Sequence, residues 1–322
     1  DCFGFTKEEV LNALKEYGLE DRQNEVKKWY DGFCFGDIKD IYNPWSIINY
    51  LDNKVAAPYW VNTSSNDLIG KVLQEGNVQI KESFERLLRQ ETIYTEIDEQ
   101  MIHDQSDIDE NAIWSLMLAS GYLKVNSSYV KETSRGWNRI YELSITNFEV
   151  LIMLKKMVRS WFSPSASNYN EFMKALLQDD IKAMNVYMNR VATSVFSFFD
   201  TGKMPSEATE PERFYHGFVL GLIVDLEERY SITTNRESGF GRYDVMLEPK
   251  NKKDPAILMV FKIQDPDAEK DLSQTIEAAL DQMDQKKYAA ELLGKGISPG
   301  QIRKYGFAFC GKKILIGKRS MK

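Results

Sequence analysis

The chain is poor in the residues from which disulfide frameworks and soft-metal sites are built. Its three cysteines, Cys2, Cys34 and Cys310, lie far apart without C-x-x-C spacing. That argues against a disulfide scaffold or a structural zinc and fits a reducing cytoplasm. Two histidines, His103 and His216, exclude a histidine-rich metal centre. Long apolar runs are missing as well: Phe218 to Val224, broken by a glycine, falls far short of the roughly 20 residues a membrane helix needs. No secretory signal is visible. Nor is there a G-x-x-x-x-G-K-[S/T] loop. The similar Gly306-x4-Gly311-Lys312-Lys313 lacks the hydroxyl residue and runs into the β-type Ile314-Leu315-Ile316 instead of a helix, so no ATP site is expected in this chain.

What is present describes a globular protein. At 322 residues, 43% hydrophobic and 28% charged, the chain is long enough for two domains with cores of their own. It opens on Asp1 instead of Met, as expected of a piece of a longer product. A net charge of -7 counts against a general nucleic-acid coating protein. The charge is uneven, however. Lys295 to Lys322 holds eight basic residues and no acidic ones, which leaves -15 on the rest. Lys304, Lys312 and Lys313 in that stretch are candidate nucleic-acid contacts; the acidic body points instead to a protein partner.

Periodicity predicts helices over 6–17 and 21–30, with Thr6 and Asp21 as N-caps and Thr6/Glu9 in capping-box spacing. Asn43-Pro44 reads as a turn that starts a helix ending near Leu51. Around 112–160 the order helix, strand, turn, strand, long helix is winged-helix-like, although no basic recognition helix accompanies it. The polar segment from Asp200 to Pro211 suggests a boundary, giving a mostly helical region over 1–205 and an α/β region over 206–322. The overall class is α+β. In the second region the pattern is helix (212–228), three strands (230–234, 239–247, 256–263), a long helix (272–293) and closing strands.

The chemistry-bearing residues cluster in that second region. Asn235-Arg236-Glu237-Ser238-Gly239-Phe240-Gly241-Arg242-Tyr243-Asp244 ends on a strand carboxylate, and Ile257-Leu258-Met259-Val260-Phe261-Lys262 follows. With Glu212-x3-His216-Gly217-Phe218, Ala279-Leu280-x-Gln282 and Tyr305-Gly306-Phe307-Ala308-Phe309, this run resembles the PD-(D/E)XK nuclease superfamily, in the branch that follows a divergent AAA-ATPase-like domain in bacterial proteins. Gly4-Phe5-Thr6-x2-Glu9, Trp29-Tyr30-Asp31-Gly32, Tyr42-Asn43-Pro44-Trp45-Ser46, Trp60-x-Asn62-Thr63-Ser64 and Ser120-Gly121-Tyr122-Leu123 are similar to the end of that ATPase-like region.

The resemblance implies a restriction-endonuclease-like αβββαβ domain and Mg2+-dependent phosphodiester hydrolysis. It assigns Asp244 as metal ligand, Lys262 as the water-positioning residue, Glu212 as an outer ligand and Gln282 as facing the site. Glu237, Arg242 and His216 stand as supporting residues. The acidic position of the triplet is Val260, which cannot bind a metal, so a weakened or inactive nuclease that still binds nucleic acid is expected. Two alternatives stay open. One is an active phosphodiesterase with a relocated acid, for which Glu237 is a better candidate than Glu248, Asp254, Asp265 or Asp267. The other is a structural or regulatory module coupled to an upstream ATPase.

Overall fold

The structure, a computed structural model, describes residues 4–35, 38–61, 67–76, 78–97, 110–133, 136–161, 166–199, 209–237, 242–285, 288–310 and 313–319. Two compact units result, Asp1–Met157 and Val158–Lys322.

In the first unit β1 (Phe5–Thr6) leads into α1 (Lys7–Glu16) through the expected capping box. The Glu9 amide donates to Thr6 Oγ1 at 3.3 Å and the Thr6 amide to Glu9 Oε2 at 2.8 Å. Asp21 does not cap: Glu20–Arg22 forms a 3-10 turn, and α2 (Gln23–Tyr30) starts without a side-chain cap. β2 (Phe33–Phe35) and β3 (Ile38–Tyr42) complete a small antiparallel sheet with β1. Asn43 then caps α3 (Pro44–Asn53), its Oδ1 accepting from the amides of Trp45 and Ser46. After α4 (Asp67–Glu75), α5 (Val78–Leu88) and β4 (Ile93–Glu96) come α6 (Glu110–Ala119), β5 (Leu123–Thr133), β6 (Gly136–Ile145) and α7 (Phe148–Trp161). The β5–β6 hairpin is longer than the periodicity suggests, and β4 adds a third strand beside β6. Ser46 and Trp60, from two of the aromatic motifs, converge on the buried Glu149: its carboxylate accepts from Ser46 Oγ at 2.9 Å and from the Trp60 amide at 2.7 Å.

The second unit opens at Val158. Its first two helices, α8 (Ala166–Gln178) and α9 (Ile181–Phe199), pack on the sheet that follows. Next come α10 (Thr209–Leu226), β7 (Tyr230–Glu237), β8 (Arg242–Pro249), β9 (Ala256–Ile263), α11 (Leu272–Gln285), α12 (Tyr288–Gly294), β10 (Ile302–Cys310) and β11 (Lys313–Arg319). The sheet order is β11-β10-β9-β8-β7. Only β9 and β10 are parallel, and α11 lies in the crossover between them, as a parallel pair demands. The chain order α10, β7, β8, β9, α11, β10 is the expected αβββαβ core.

β9 is central and covered on both faces, which explains its nearly unbroken apolar run. Ala256, Leu258 and Val260 pack with Ile276, Ala279, Leu280 and Met283 of α11. On the opposite face Phe261 stacks on Phe307 at 4.6 Å, and Phe218 of α10 and Phe172 of α8 close over them.

Sheet and helix approach closely at two glycines. Gly306 and Gly317 are register partners, and a Cβ on Gly317 would come within 2.6 Å of Ile276 Cγ2. Both glycines therefore serve packing, and in the loop-like segment Gly306 to Cys310 lies on β10 and Lys313 on the antiparallel β11. The free edge of β11 is closed by side chains. Asn185 Nδ2 donates to the Ile316 carbonyl at 2.9 Å, and the Ile316 amide donates to Asn185 Oδ1 at 2.8 Å. Asn189, one turn along α9, repeats the pair with Ile314 at 2.8 and 3.1 Å.

Candidate functional site

The strand register brings the expected frame together. Asp244 of β8 stands opposite Val260 of β9, Asn235 flanks it on β7, and Gly306 of β10 flanks Val260. Directly opposed residues on antiparallel strands have Cβ atoms about 5 Å apart. An acid at 260 would thus share one small volume with position 244. The residue there is Val260, 1% exposed and enclosed by the apolar side chains beneath α11.

Two residues further on, Lys262 emerges where the apolar cover ends. Its Nζ donates to Glu269 Oε1 in a close ion pair. Glu269, 8% exposed, is bound from other sides as well: Oε2 accepts from Thr275 Oγ1 at 2.7 Å and from the Asp265 amide at 3.1 Å. The local sequence folds this way for identifiable reasons. Asp265 starts a turn in which the amides of Ala268 and Glu269 return to its carbonyl, and Asp271 then caps α11 by accepting from Ser273 and Gln274. The turn points Glu269 back at β9, and the helix start places Thr275 over it. Burial by itself would raise the Glu269 carboxyl, but the hydrogen bonds from Lys262, Thr275 and the Asp265 amide outweigh it and hold the group below the usual carboxylate range.

Glu269 is the site residue that the sequence reading passes over. Its signal was faint: an acid seven residues beyond the triplet lysine, in a loop already crowded with Asp265 and Asp267. Three of the acids weighed as substitutes, Glu248, Asp254 and Asp265, have partners of their own. Glu248 pairs with Lys295 at 2.6 Å, Asp254 holds Arg229 in a two-pronged pair at 2.7 Å, and Asp265 Oδ1 accepts from the Asp267 amide. Gln282 lies on α11 two turns after Thr275, half-buried on the same stripe. Glu212, His216, Glu237, Arg242 and Asp244 have their backbone on α10, β7 and β8, while their side chains lie outside the described residues, as does Lys312.

The basic C-terminal stretch is not a free tail. Lys304 is 7% exposed and paired with Asp284 at 2.5 Å, so it is not presented to a phosphate as expected. Arg319 engages Glu277, Asp281 and Asp284 on α11, and Lys318 meets Asp179 at 3.1 Å. Lys295, besides Glu248, meets Glu291. Lys313 at the start of β11 is exposed. Four of the eight basic residues of this stretch, Lys295, Lys304, Lys318 and Arg319, are thus paired with acids of the fold.

The described residues do not by themselves make a magnesium site; Asp244 and Glu212, which the resemblance assigns as ligands, have side chains outside them. A hard cation needs several oxygen ligands. Val260 supplies none, and both oxygens of Glu269 already accept hydrogen bonds. Among the described residues no group of three His, Cys, Asp or Glu side chains could hold a metal ion, and no helix is long and apolar enough to cross a membrane.

No curated protein matches the chain. A family model does: residues 210–319 match that of the PD-(D/E)XK nuclease superfamily. The match spans α10 to β11, the same elements that set Asp244 opposite Val260 and carry Lys262, and the domain formed by residues 210–319 belongs to the PD-(D/E)XK nuclease superfamily.

Proposed function

We propose that this domain engages nucleic acid without hydrolysing it. The observation that carries the reading is the pairing of Lys262 with Glu269 beside a buried Val260. Phosphodiester hydrolysis in this frame needs a carboxylate pair to hold the metal and a lysine free to orient water. Here the second carboxylate is replaced by a core side chain, and the lysine is neutralised by an acid that Thr275 and the Asp265 amide also hold in place. The nuclease frame is retained as a shape, with its reactive centre turned into a structural ion pair. The superfamily fold supports nucleic acid as the ligand.

A second reading has one observation in its favour: Glu269 is an acid adjoining the triplet lysine. On that reading it is the relocated ligand. Its saturated hydrogen bonding weighs against this, because a metal would have to displace Lys262 or Thr275.

The deciding experiment combines binding and cleavage. Plasmid, single-stranded DNA and RNA are incubated with the 322-residue chain in magnesium or manganese, and binding is followed by fluorescence anisotropy. The proposal expects saturable, salt-sensitive binding with no cleavage. Cleavage that disappears in both Asp244→Ala and Glu269→Gln would instead establish the relocated-ligand enzyme. Neither binding nor cleavage would leave the nuclease frame without a nucleic-acid role.

A further inference from the structure

The first unit contains a cavity that the nuclease frame does not use. It has a volume of about 600 Å³ and lies between the end of α2, the β5–β6 sheet and the N-terminus of α7. That size suits a small metabolite. Four lysines line it, Lys27, Lys28, Lys39 and Lys124, against two acids, Asp31 and Asp40. Among the described residues none of the four lysines forms a salt bridge.

Two buried polar atoms in this cavity lack partners. Asp31 is 8% exposed, and its Oδ1 accepts no hydrogen bond. Asn147 Nδ2 is buried and donates none, while the Oδ1 of the same side chain caps α7 by accepting from the Val150 amide at 3.1 Å. An unsatisfied buried donor or acceptor is costly, so a lone acceptor and a lone donor in one cavity call for an explanation. Asp31 precedes Gly32, at φ 121, where a Cβ would lie 2.2 Å from the Thr146 carbonyl oxygen and 3.1 Å from Lys124 Nζ. Asn147 is held by its capping role.

The chemistry around the two atoms is polarised. Asn147 sits at the start of the 14-residue helix α7, where the helix dipole and free amides favour an anion. The carboxylate of Glu149 in that first turn is occupied by Ser46 and Trp60. Lys28 reaches over the Phe148 ring at 4.4 Å, so its charge is held at the same end. Asp31, whose carboxylate already meets the Tyr42 hydroxyl and the Gly32 amide, keeps Oδ1 open to one further donor.

We propose that this cavity binds a small phosphate ester bearing free hydroxyl groups. The phosphate lies against Lys28, Lys124 and the N-terminus of α7, where it accepts from Asn147 Nδ2; a hydroxyl of the ligand donates to Asp31 Oδ1. A sugar phosphate and a nucleoside monophosphate share this chemistry. The inference is independent of the nuclease-like domain, since every lining residue lies in the first unit.

The test is calorimetric titration of the full chain with inorganic phosphate, ribose 5-phosphate and adenosine monophosphate. At least one ester is expected to bind about tenfold or more tightly than inorganic phosphate. Lys28→Ala combined with Lys124→Ala should abolish binding of all three. Asp31→Asn should bring the ester down to the affinity of inorganic phosphate, with folding checked by circular dichroism. Binding by ribose 5-phosphate identifies a sugar phosphate site, and binding by the nucleotide alone a nucleotide site. No ester binding, or ester binding unchanged in the double lysine variant, would overturn the proposal.

Discussion

Asp244 and Val260 face each other across the β8–β9 ladder, one residue pair in a register that continues without a break from Tyr243↔Phe261 to Leu247↔Ile257. The frame is therefore intact at the backbone, and a carboxylate at 260 would stand beside position 244. Val260→Glu should place an uncompensated charge in the core and lower stability by on the order of 3 kcal/mol in chelator. Millimolar magnesium or manganese should recover part of that loss, because a ligand that binds only the folded state stabilises it. Thermal melts in chelator and in metal would show the difference. Equal melting in both would mean that the two positions do not form a metal site.

The Lys262–Glu269 pair has a definite pH signature. Glu269 titrates lower in the folded chain than its unfolded value of about 4.3, so its contribution is complete above that pH. It is lost as pH falls through the lower, folded value. Glu269→Gln should remove about 2–3 kcal/mol at pH 7 by leaving Lys262 unpaired. The deficit relative to the parent should shrink on acidification below pH ~4. Urea denaturation at several pH values measures this, and a deficit independent of pH would contradict the assignment.

A double-mutant cycle separates a structural pair from a catalytic one. Lys262→Met with Glu269→Leu should cost less than the sum of the single changes, because neither partner is left charged and alone. Strict additivity would show that the two side chains do not act together.

Gly317→Ala should destabilise the second unit by about 1–3 kcal/mol, since Ile276 must move to admit the new methyl group. Gly306→Ala meets the same side chain at 3.3 Å and should cost less. Equilibrium unfolding of the two variants gives the ranking; the reverse order would contradict the packing of α11 on this sheet.

Replacing Asn185 and Asn189 together by alanine should leave the outward amides and carbonyls of Ile314 and Ile316 unpaired. An exposed strand edge is a template for another chain. Concentration-dependent association in sedimentation is expected, and a strictly monomeric double variant would argue against edge protection.

Much of the fold could be read in the sequence because it is local. The Thr6/Glu9 box, the Asn43-Pro44 start and the αβββαβ order each depend on neighbours within a few residues. Asp21 failed as a cap because a 3-10 turn occupies its position. The frame of Asp244, Val260 and Lys262 was equally visible, since adjacent strands bring those positions together. Glu269 was not, because its role depends on a turn that folds back and on Thr275 arriving from a helix that has yet to start. The basic C-terminal stretch misled for a similar reason: its partners Asp179, Glu277, Asp281 and Asp284 lie 20 or more residues away along the chain.

The asparagine pair on α9 separates two notions of a domain. The stretch shared with the superfamily begins at residue 210, yet the edge of its sheet is sealed by residues 185 and 189. What is inherited as a recognisable module and what can exist alone in water thus have different borders. A protein cut at 206 would keep every residue of the nuclease frame and lose the cover on β11, while one cut at 158 would retain both.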